Sequence, residues 1–378
     1  MGSMGHVVIA PDKFKGTLSA SEVAAHVAAG LAAAGGEAVR TVTIPVADGG
    51  DGTVDAAVAA GYRRVELGVR GPIGRSVTAA FGLLDGAAVI EAAQACGLAL
   101  LRGSALAPLT ATTRGVGELV LAAARMGAKK IVLGLGGTAT TDGGGGLMQA
   151  LGARLLDADG RDLPGGGGAL VTLRQLDLAK LRDLSGVEFL LASDVDNPLL
   201  GPSGAAAVYG PQKGASPDDV AVLEQGLTRW ADLAEAVVGK AARDLPGAGA
   251  AGGLGFAAQL FLAARMRPGI ELLLEMATFT RQLDGARLVI TGEGALDEQT
   301  LHGKAPAGVA RATAQHAPSV PVVAVAGVNR LSPEQLREAG IAAAYALTDI
   351  EPDVANCRKD PGPLLEQLAS RIADDWLR

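Results

Sequence analysis

Cysteine is scarce in this chain: Cys96 and Cys357 are the two present among 378 residues, far apart and in no metal or redox spacing. That excludes a disulfide framework, and two free thiols in a reducing compartment are the simplest reading. Long hydrophobic runs are missing as well. No stretch approaches about eighteen apolar residues, and the N-terminal run "VVIA" is too short for a signal-peptide core, so no membrane span is expected and the cytoplasm is the expected location. Met1–Ser3, ahead of Met4, read as an appendage outside the fold. Positive charge is not in excess. The balance of 33 Lys+Arg against 40 Asp+Glu leaves a net charge of −7, which argues against nucleic acid or an anionic membrane as partner. The histidines His6, His26, His302 and His316 are scattered, so a zinc site is not expected.

The common nucleotide and nucleophile signatures are also absent. There is no G-x-x-x-x-G-K-[ST] and no H-R-D or D-F-G, which excludes a P-loop protein and a protein kinase, and Ser193 has no G-x-S-x-G setting, which argues against a nucleophile elbow. One G-x-G-x-x-G does occur, at Gly247, Gly249 and Gly252 in "GAGAAG". It follows the polar stretch "KAARDLP" where a dinucleotide fold requires a strand. A nicotinamide-dependent oxidoreductase is therefore the alternative reading, and a nonenzymatic phosphate-binding protein is a third.

Glycine, by contrast, is abundant. The 54 glycines fall in clusters between apolar stretches, without the period of collagen and in a chain that is 49% hydrophobic and 19% charged, so a globular protein is expected. Its length suits two domains. Runs such as "HVVIAPD", "KKIVLGLGG", "FLLASDVDN", "RLVITGEG" and "VPVVAVAG" read as buried strands ending in Gly or Asp. Helical stretches alternate with them, the first opened by a Ser19/Glu22 capping box and closed at Gly35. This alternation predicts a mostly parallel sheet covered on both faces, with ligands beyond the carboxyl ends of its strands. Residues from about Gly61 to Leu109 read instead as antiparallel strands with Gly-Pro and Asp-Gly turns, part of a second domain inserted in the first.

Chemistry-bearing residues collect at those strand ends. "GLGGTATTDGGGG" (Gly134–Gly146) offers backbone amides that glycine lets approach an oxyanion, hydroxyls on Thr138, Thr140 and Thr141, and Asp142, which could take a metal or cap the following helix. Close packing between sheet and helix is the other reading of this loop. "APDKFKG" carries Asp12, Lys13 and Lys15, and "VADGGDGT" carries Asp48 and Asp51 around Gly49 and Gly50. "SDVDNPL" sets Asp194, Asp196 and Asn197 together as oxygen donors, "YGPQKGA" holds Lys213, and "TGEGALDEQTLHGKAP" holds Glu293, Asp297, Gln299, His302 and Lys304. Paired carboxylates, lysines and a glycine nest suit phosphoryl transfer, in which positioning and charge neutralisation do most of the work.

Taken in order, "VVIAPDKFKGTLSASEVA", "PVADGGDGT", "GLGGTATTDGG", "SDVDNPLLGPSGA", "YGPQKGA", "PGAGAAGGLG", "ITGEGALDEQTLHGKAP" and "VVAVAG" resemble the bacterial class I glycerate kinases from Met4 to the C-terminus. Lys13, Thr138, Thr141 and Asp196 stand where members of that family more often carry other residues. The resemblance implies an α/β protein of the two-domain glycerate kinase type I fold, with its site in the cleft between the domains. A Rossmann- or flavodoxin-like parallel domain is expected from 4–60 plus about 110–146 and 255–378, and a second, inserted α/β domain from about 61–109 plus 147–254. The implied reaction is ATP- and Mg²⁺-dependent phosphorylation of D-glycerate, commonly at the 2-hydroxyl. On these grounds the triphosphate is expected on Gly136, Gly137, Thr138, Thr140, Gly143 and Gly144, and Mg²⁺ on Asp142, Asp196 and Glu293. Lys15 or Lys213 neutralises the transferring group, and Asp194, or in second place Asp297, accepts the hydroxyl proton. Asp12, Lys13, Asp48, Gly49, Gly50, Gln299 and Lys304 are the expected substrate contacts.

Overall fold

Residues 5–35, 39–102, 105–301 and 303–378 are described by the structure, a computed structural model. The chain divides into two units. The first comprises residues up to Asp48, Asp55–Gly61 and Pro268–Arg378; the second comprises Gly49–Val54 and Tyr62–Arg267.

The first unit is built on five parallel strands in the order Ala343–Ala346, Val322–Asn329, Ala286–Leu296, His6–Pro11, Thr41–Thr43. Successive side chains of a strand face opposite ways, and both faces are covered here. Val7 and Ile9 pack with Val23, Val27, Leu365 and Leu368 on one side. Val8 and Ala10 pack with Ile270, Val289 and Val309 on the other. That double burial is why the strand sequence reads as an unbroken apolar run. The predicted capping box opens helix Ala20–Gly35: Ser19 N donates to Glu22 Oε2 at 2.8 Å and Glu22 N to Ser19 Oγ at 3.3 Å. This helix lies close against Pro361–Trp376, since a Cβ on Gly30 would stand 2.2 Å from the Glu366 carbonyl oxygen.

The second unit holds a six-stranded sheet in the order Arg265–Arg267, Glu188–Ala192, Lys130–Gly134, Ala87–Glu91, Ser76–Leu84, Arg63–Arg70. The first four are parallel and the last two antiparallel. Leu84 pairs with Ala87 across Asp85-Gly86, whose φ values of 46° and 77° are those of the hairpin turn that Asp-Gly favours. Phe81, Ile90, Leu133, Leu147, Leu191 and Trp230 centre its core. These units depart from the expected division at three segments, of which Gly49–Val54 is the first. Residues 110–146 and 255–267 belong to this second unit, because Lys130–Gly134 hydrogen-bonds between Ala87–Glu91 and Glu188–Ala192. The expectations for Met1–Ser3 and His302 lie outside the described residues.

Candidate active site

In the first unit the strand ends gather carboxylates and a lysine. Asp12 follows Pro11 directly, and its amide donates to the Gly292 carbonyl at 2.8 Å, which sets it beside Glu293 on the neighbouring strand. Residues 44–46 extend the ladder past Thr43, with Ile44 N on Ile9 O at 2.8 Å and Val46 N on Pro11 O at 3.0 Å, and so carry Asp48 toward the same edge. Burial pushes the Asp12 carboxyl up to about 6, opposed by the Lys13 ammonium at 3.6 Å and reinforced by the charge of Asp48. Glu293 is 8% exposed, and burial lifts it to about 7 against the Thr300 hydroxyl and Lys304, with Asp12 and Asp297 adding to the rise. Thr300 Oγ1 donates to Glu293 Oε1. Lys304 Nζ lies 3.8 Å from Glu293 Oε2 and 3.7 Å from Asp297 Oδ1. Asp297 Oδ1 also accepts the Gln299 amide at 3.0 Å, so Gln299 contributes its backbone here while its side chain is exposed. Lys15 is exposed in the turn that Phe14 and Leu18 close.

In the second unit the glycine-rich loop follows strand Lys130–Gly134, and its two halves make different contacts. Gly136 N donates to Gly49 O at 3.3 Å, and a Cβ on Gly136 would come within 2.5 Å of Gly50 Cα, so the two glycine turns meet backbone to backbone. Ala139 N is taken by Cys96 O at 2.8 Å and Gly143 N by Gly252 O at 3.0 Å. Among the described residues, no acceptor meets the amides of Gly137 and Thr138. Gly137 is exposed, with φ at +74°. Thr138 is buried, so Gly137 is the exposed position of this half of the loop. The far half is packing: Trp230 Nε1 donates to Gly143 O at 2.9 Å, and a Cβ on Gly144 would stand 2.4 Å from Ala257 Cβ.

Asp142 is 1% exposed, and its oxygens are taken up by donors of the chain itself. Its carboxylate accepts from Thr113 N at 2.8 Å, from Thr113 Oγ1 at 3.0 Å, from Gly144 N at 3.1 Å and from Gly146 N at 3.2 Å. Its pKa is nevertheless raised, because burial outweighs those donors. The amides expected to lend positive charge to an anion are thus occupied by the chain's own carboxylate.

Lys213, expected on the phosphates, is 3% exposed and donates to Thr140 O at 2.6 Å. Burial pulls it down to about 8. In this structure it holds the loop. Beneath the same loop, burial pushes the Cys96 thiol up to about 12, and both cysteines are free and buried. Asp194 and Asp196 are exposed beyond strand Glu188–Ala192. Among the described residues, no group of three or more His, Cys, Asp or Glu stands together as a metal cage.

The "GAGAAG" match also resolves by packing. No strand precedes Gly247, and Gly252 and Gly253, at φ of +68° and +90°, admit Thr140 and Gly143 of the loop at distances a side chain would obstruct. Three contributors went unnoticed in the sequence. Thr300 stands three positions after Asp297, a spacing that hints at a side-chain cap. Thr113 and Glu91, the latter accepting Gly52 N at 3.1 Å and Val54 N at 3.3 Å, meet partners too distant in sequence for any local signal.

Parallel strands whose carboxyl ends carry perturbed carboxylates in one unit and a backbone-lined glycine loop in the other define an α/β enzyme. The sequence profile of the glycerate kinase family matches residues 7–377. The chain is 44% identical to the glycerate kinase of Bacillus subtilis (strain 168) over 97% of its own length and 96% of that protein's. It is likewise 44% identical to the glycerate 2-kinase of Escherichia coli (strain K12), over 85% and 84%. The crystal structure of a protein assigned as glycerate kinase 2 from Salmonella typhimurium LT2 superposes with a TM-score of 0.84 at 40% identity, covering 99% of this chain and 98% of that one. The chain belongs to the glycerate kinase family, enzymes whose family reaction is the phosphorylation of glycerate. No helix among the described residues is long and apolar enough to cross a membrane.

Proposed function

We propose that this enzyme transfers the γ-phosphoryl group of ATP to the 2-hydroxyl of D-glycerate, giving 2-phosphoglycerate and ADP. The observation that carries the reading is the family match along residues 7–377, and the strand-end chemistry agrees with it. The bond from the γ-phosphorus to the ADP oxygen breaks as the glycerate oxygen bonds to phosphorus, and the hydroxyl proton passes to a carboxylate. Glu293 is the acceptor we favour over Asp194 and Asp297, because a base held near 7 is about half ionised at neutral pH and still basic. The exposed Gly137 amide takes a phosphate oxygen, and Lys15 offsets the charge of the transferring group. Lys13, Lys304 and the Gly49-Gly50 turn are the candidate contacts for the glycerate carboxylate and hydroxyls.

Mg²⁺ usually binds through one or two carboxylates together with substrate phosphates, so a complete protein cage is not required. Asp194 and Asp196, exposed oxygen donors, fit that role; Asp142, whose oxygens are occupied, does not. When bound, the ion would neutralise charge on the phosphates. The free, buried cysteines suit the cytoplasm.

Purified protein with Mg-ATP should release ADP far faster with D-glycerate than with L-lactate, and EDTA should stop turnover. The product should be consumed by enolase alone, as 2-phosphoglycerate is. Equal rates with the two acids would overturn the substrate, and a product needing a mutase first would move the phosphate to the other hydroxyl.

A further inference from the structure

The second unit contains a cavity of about 610 Å³, a size suited to a metabolite, which the reaction proposed above does not use. Arg70, Arg114, Arg154, Thr112, Gln149 and Asp162 are among its lining residues. None of them belongs to the Gly134–Gly146 loop or to the strand-end carboxylates.

The arginines are unequally satisfied. Arg154 is spent: its Nε and Nη2 grip Asp162 at 3.0 and 2.9 Å. Arg70 and Arg114 instead share one carboxylate, Glu118, with their Nε atoms 4.0 and 3.8 Å from its Oε1, beyond hydrogen-bond reach. Two planar guanidinium groups facing one distant carboxylate match a group with several acceptor oxygens and more than one negative charge. Thr112 adds a hydroxyl beside them, its Oγ1 accepting Arg114 N at 3.3 Å while its own proton stays available.

We propose that this cavity is a second anion site, for a small phosphorylated metabolite, distinct from the place where ATP and glycerate react. Its wall and the glycine-rich loop share a stretch of backbone. Thr112 lines the cavity, while Thr113, the next residue, holds Asp142 and through it Gly144 and Gly146.

The test is calorimetric titration of the full-length protein with sodium pyrophosphate at constant ionic strength, in the presence of saturating β,γ-methylene-ATP and D-glycerate. Pyrophosphate should still bind under those conditions. Replacing both arginines, Arg70→Gln with Arg114→Gln, should weaken it tenfold or more while leaving kcat without pyrophosphate unchanged. A measurement on the unsubstituted protein guards against a variant that folds poorly: pyrophosphate should protect Arg70 and Arg114 from phenylglyoxal, read by peptide mass. Loss of pyrophosphate binding when the analogue is present would overturn the proposal by assigning the ion to the reaction site. Equal affinity in the double variant, or equal modification rates with and without pyrophosphate, would overturn it outright. Failure of glycerate turnover would leave these readouts unaffected, so the two proposals fail separately.

Discussion

Replacing Asp142 by asparagine separates a structural cap from a metal ligand, because the two roles respond in opposite ways. The carboxylate accepts three backbone amides and one hydroxyl, with Gly144 N on Oδ1 and both Thr113 N and Gly146 N on Oδ2. Asparagine keeps one acceptor oxygen and turns an NH₂ toward the donors that met the other. With the oxygen left at Oδ2, the Gly144 amide faces another donor, at a cost of about 1–3 kcal/mol. The surviving bonds also fall from a charged to a neutral acceptor, each weaker by about 1 kcal/mol. Relief from burying an ion offsets part of this, as the raised pKa of Asp142 indicates. A net loss of about 2 kcal/mol is expected. Urea denaturation followed by tryptophan fluorescence reads it well. Trp230 donates directly to Gly143 O, and Trp376→Phe removes the only other indole. The midpoint should fall while the Mg²⁺ concentration for half-maximal rate stays where it was. An unchanged midpoint with a tenfold rise in the Mg²⁺ requirement would refute the cap and restore the metal ligand.

Four further outcomes are expected. Glu293→Gln should lower kcat about 100-fold or more, the range for losing a positioned base, and abolish a rise in rate through about pH 7; an unaltered pH profile would move the base to Asp194 or Asp297. Asp12 and Glu293 hold their protons more tightly folded than unfolded, so their contribution to stability is complete below the ordinary carboxylate range and is lost as pH rises through about 6 and 7. Denaturation of the doubly substituted Asp12→Asn, Glu293→Gln protein should therefore vary less between pH 4 and 7, and an equal slope would count against the raised values. Gly137→Val places a Cβ about 2.3 Å from Asp51 Oδ1 at a φ of +74°, and should raise the ATP requirement at least tenfold with the circular dichroism spectrum retained; normal ATP affinity would make the loop packing alone. Asp194→Asn should raise the Mg²⁺ concentration needed for half-maximal rate, whereas a fall in kcat of about 100-fold at saturating Mg²⁺ would return to it the role of base.

The site was legible in the sequence to the extent that its residues stand at strand ends. Asp12, Asp48, Glu293 and Asp297 could be placed at the edge of a parallel sheet because the runs before them are apolar and the following residues break the strand. Their division of labour was not legible. Glu293 read as a metal ligand, and nothing in its sequence neighbourhood shows that burial, Asp12 and Asp297 raise its carboxyl against Thr300 and Lys304. Lys213 read as a phosphate contact, and nothing around it in "YGPQKGA" shows that its ammonium is buried on the Thr140 carbonyl.

What the amino-acid order determined alone is whatever depends on near neighbours: buried strands from their β-branched runs, the Ser19/Glu22 cap, the Asp85-Gly86 hairpin, and the ordered motifs that carry the family resemblance. These follow from steric and hydrogen-bonding rules that act within a few residues. The tertiary structure decided which sheet receives residues 110–146, which half of the glycine loop packs and which half leaves amides without an acceptor, and that Asp142 finds Thr113 across 29 positions. Burial and through-space charge are sums over groups that only folding brings together, so a carboxylate's role as cap, base or ligand is set by its surroundings in space rather than by its place in the chain.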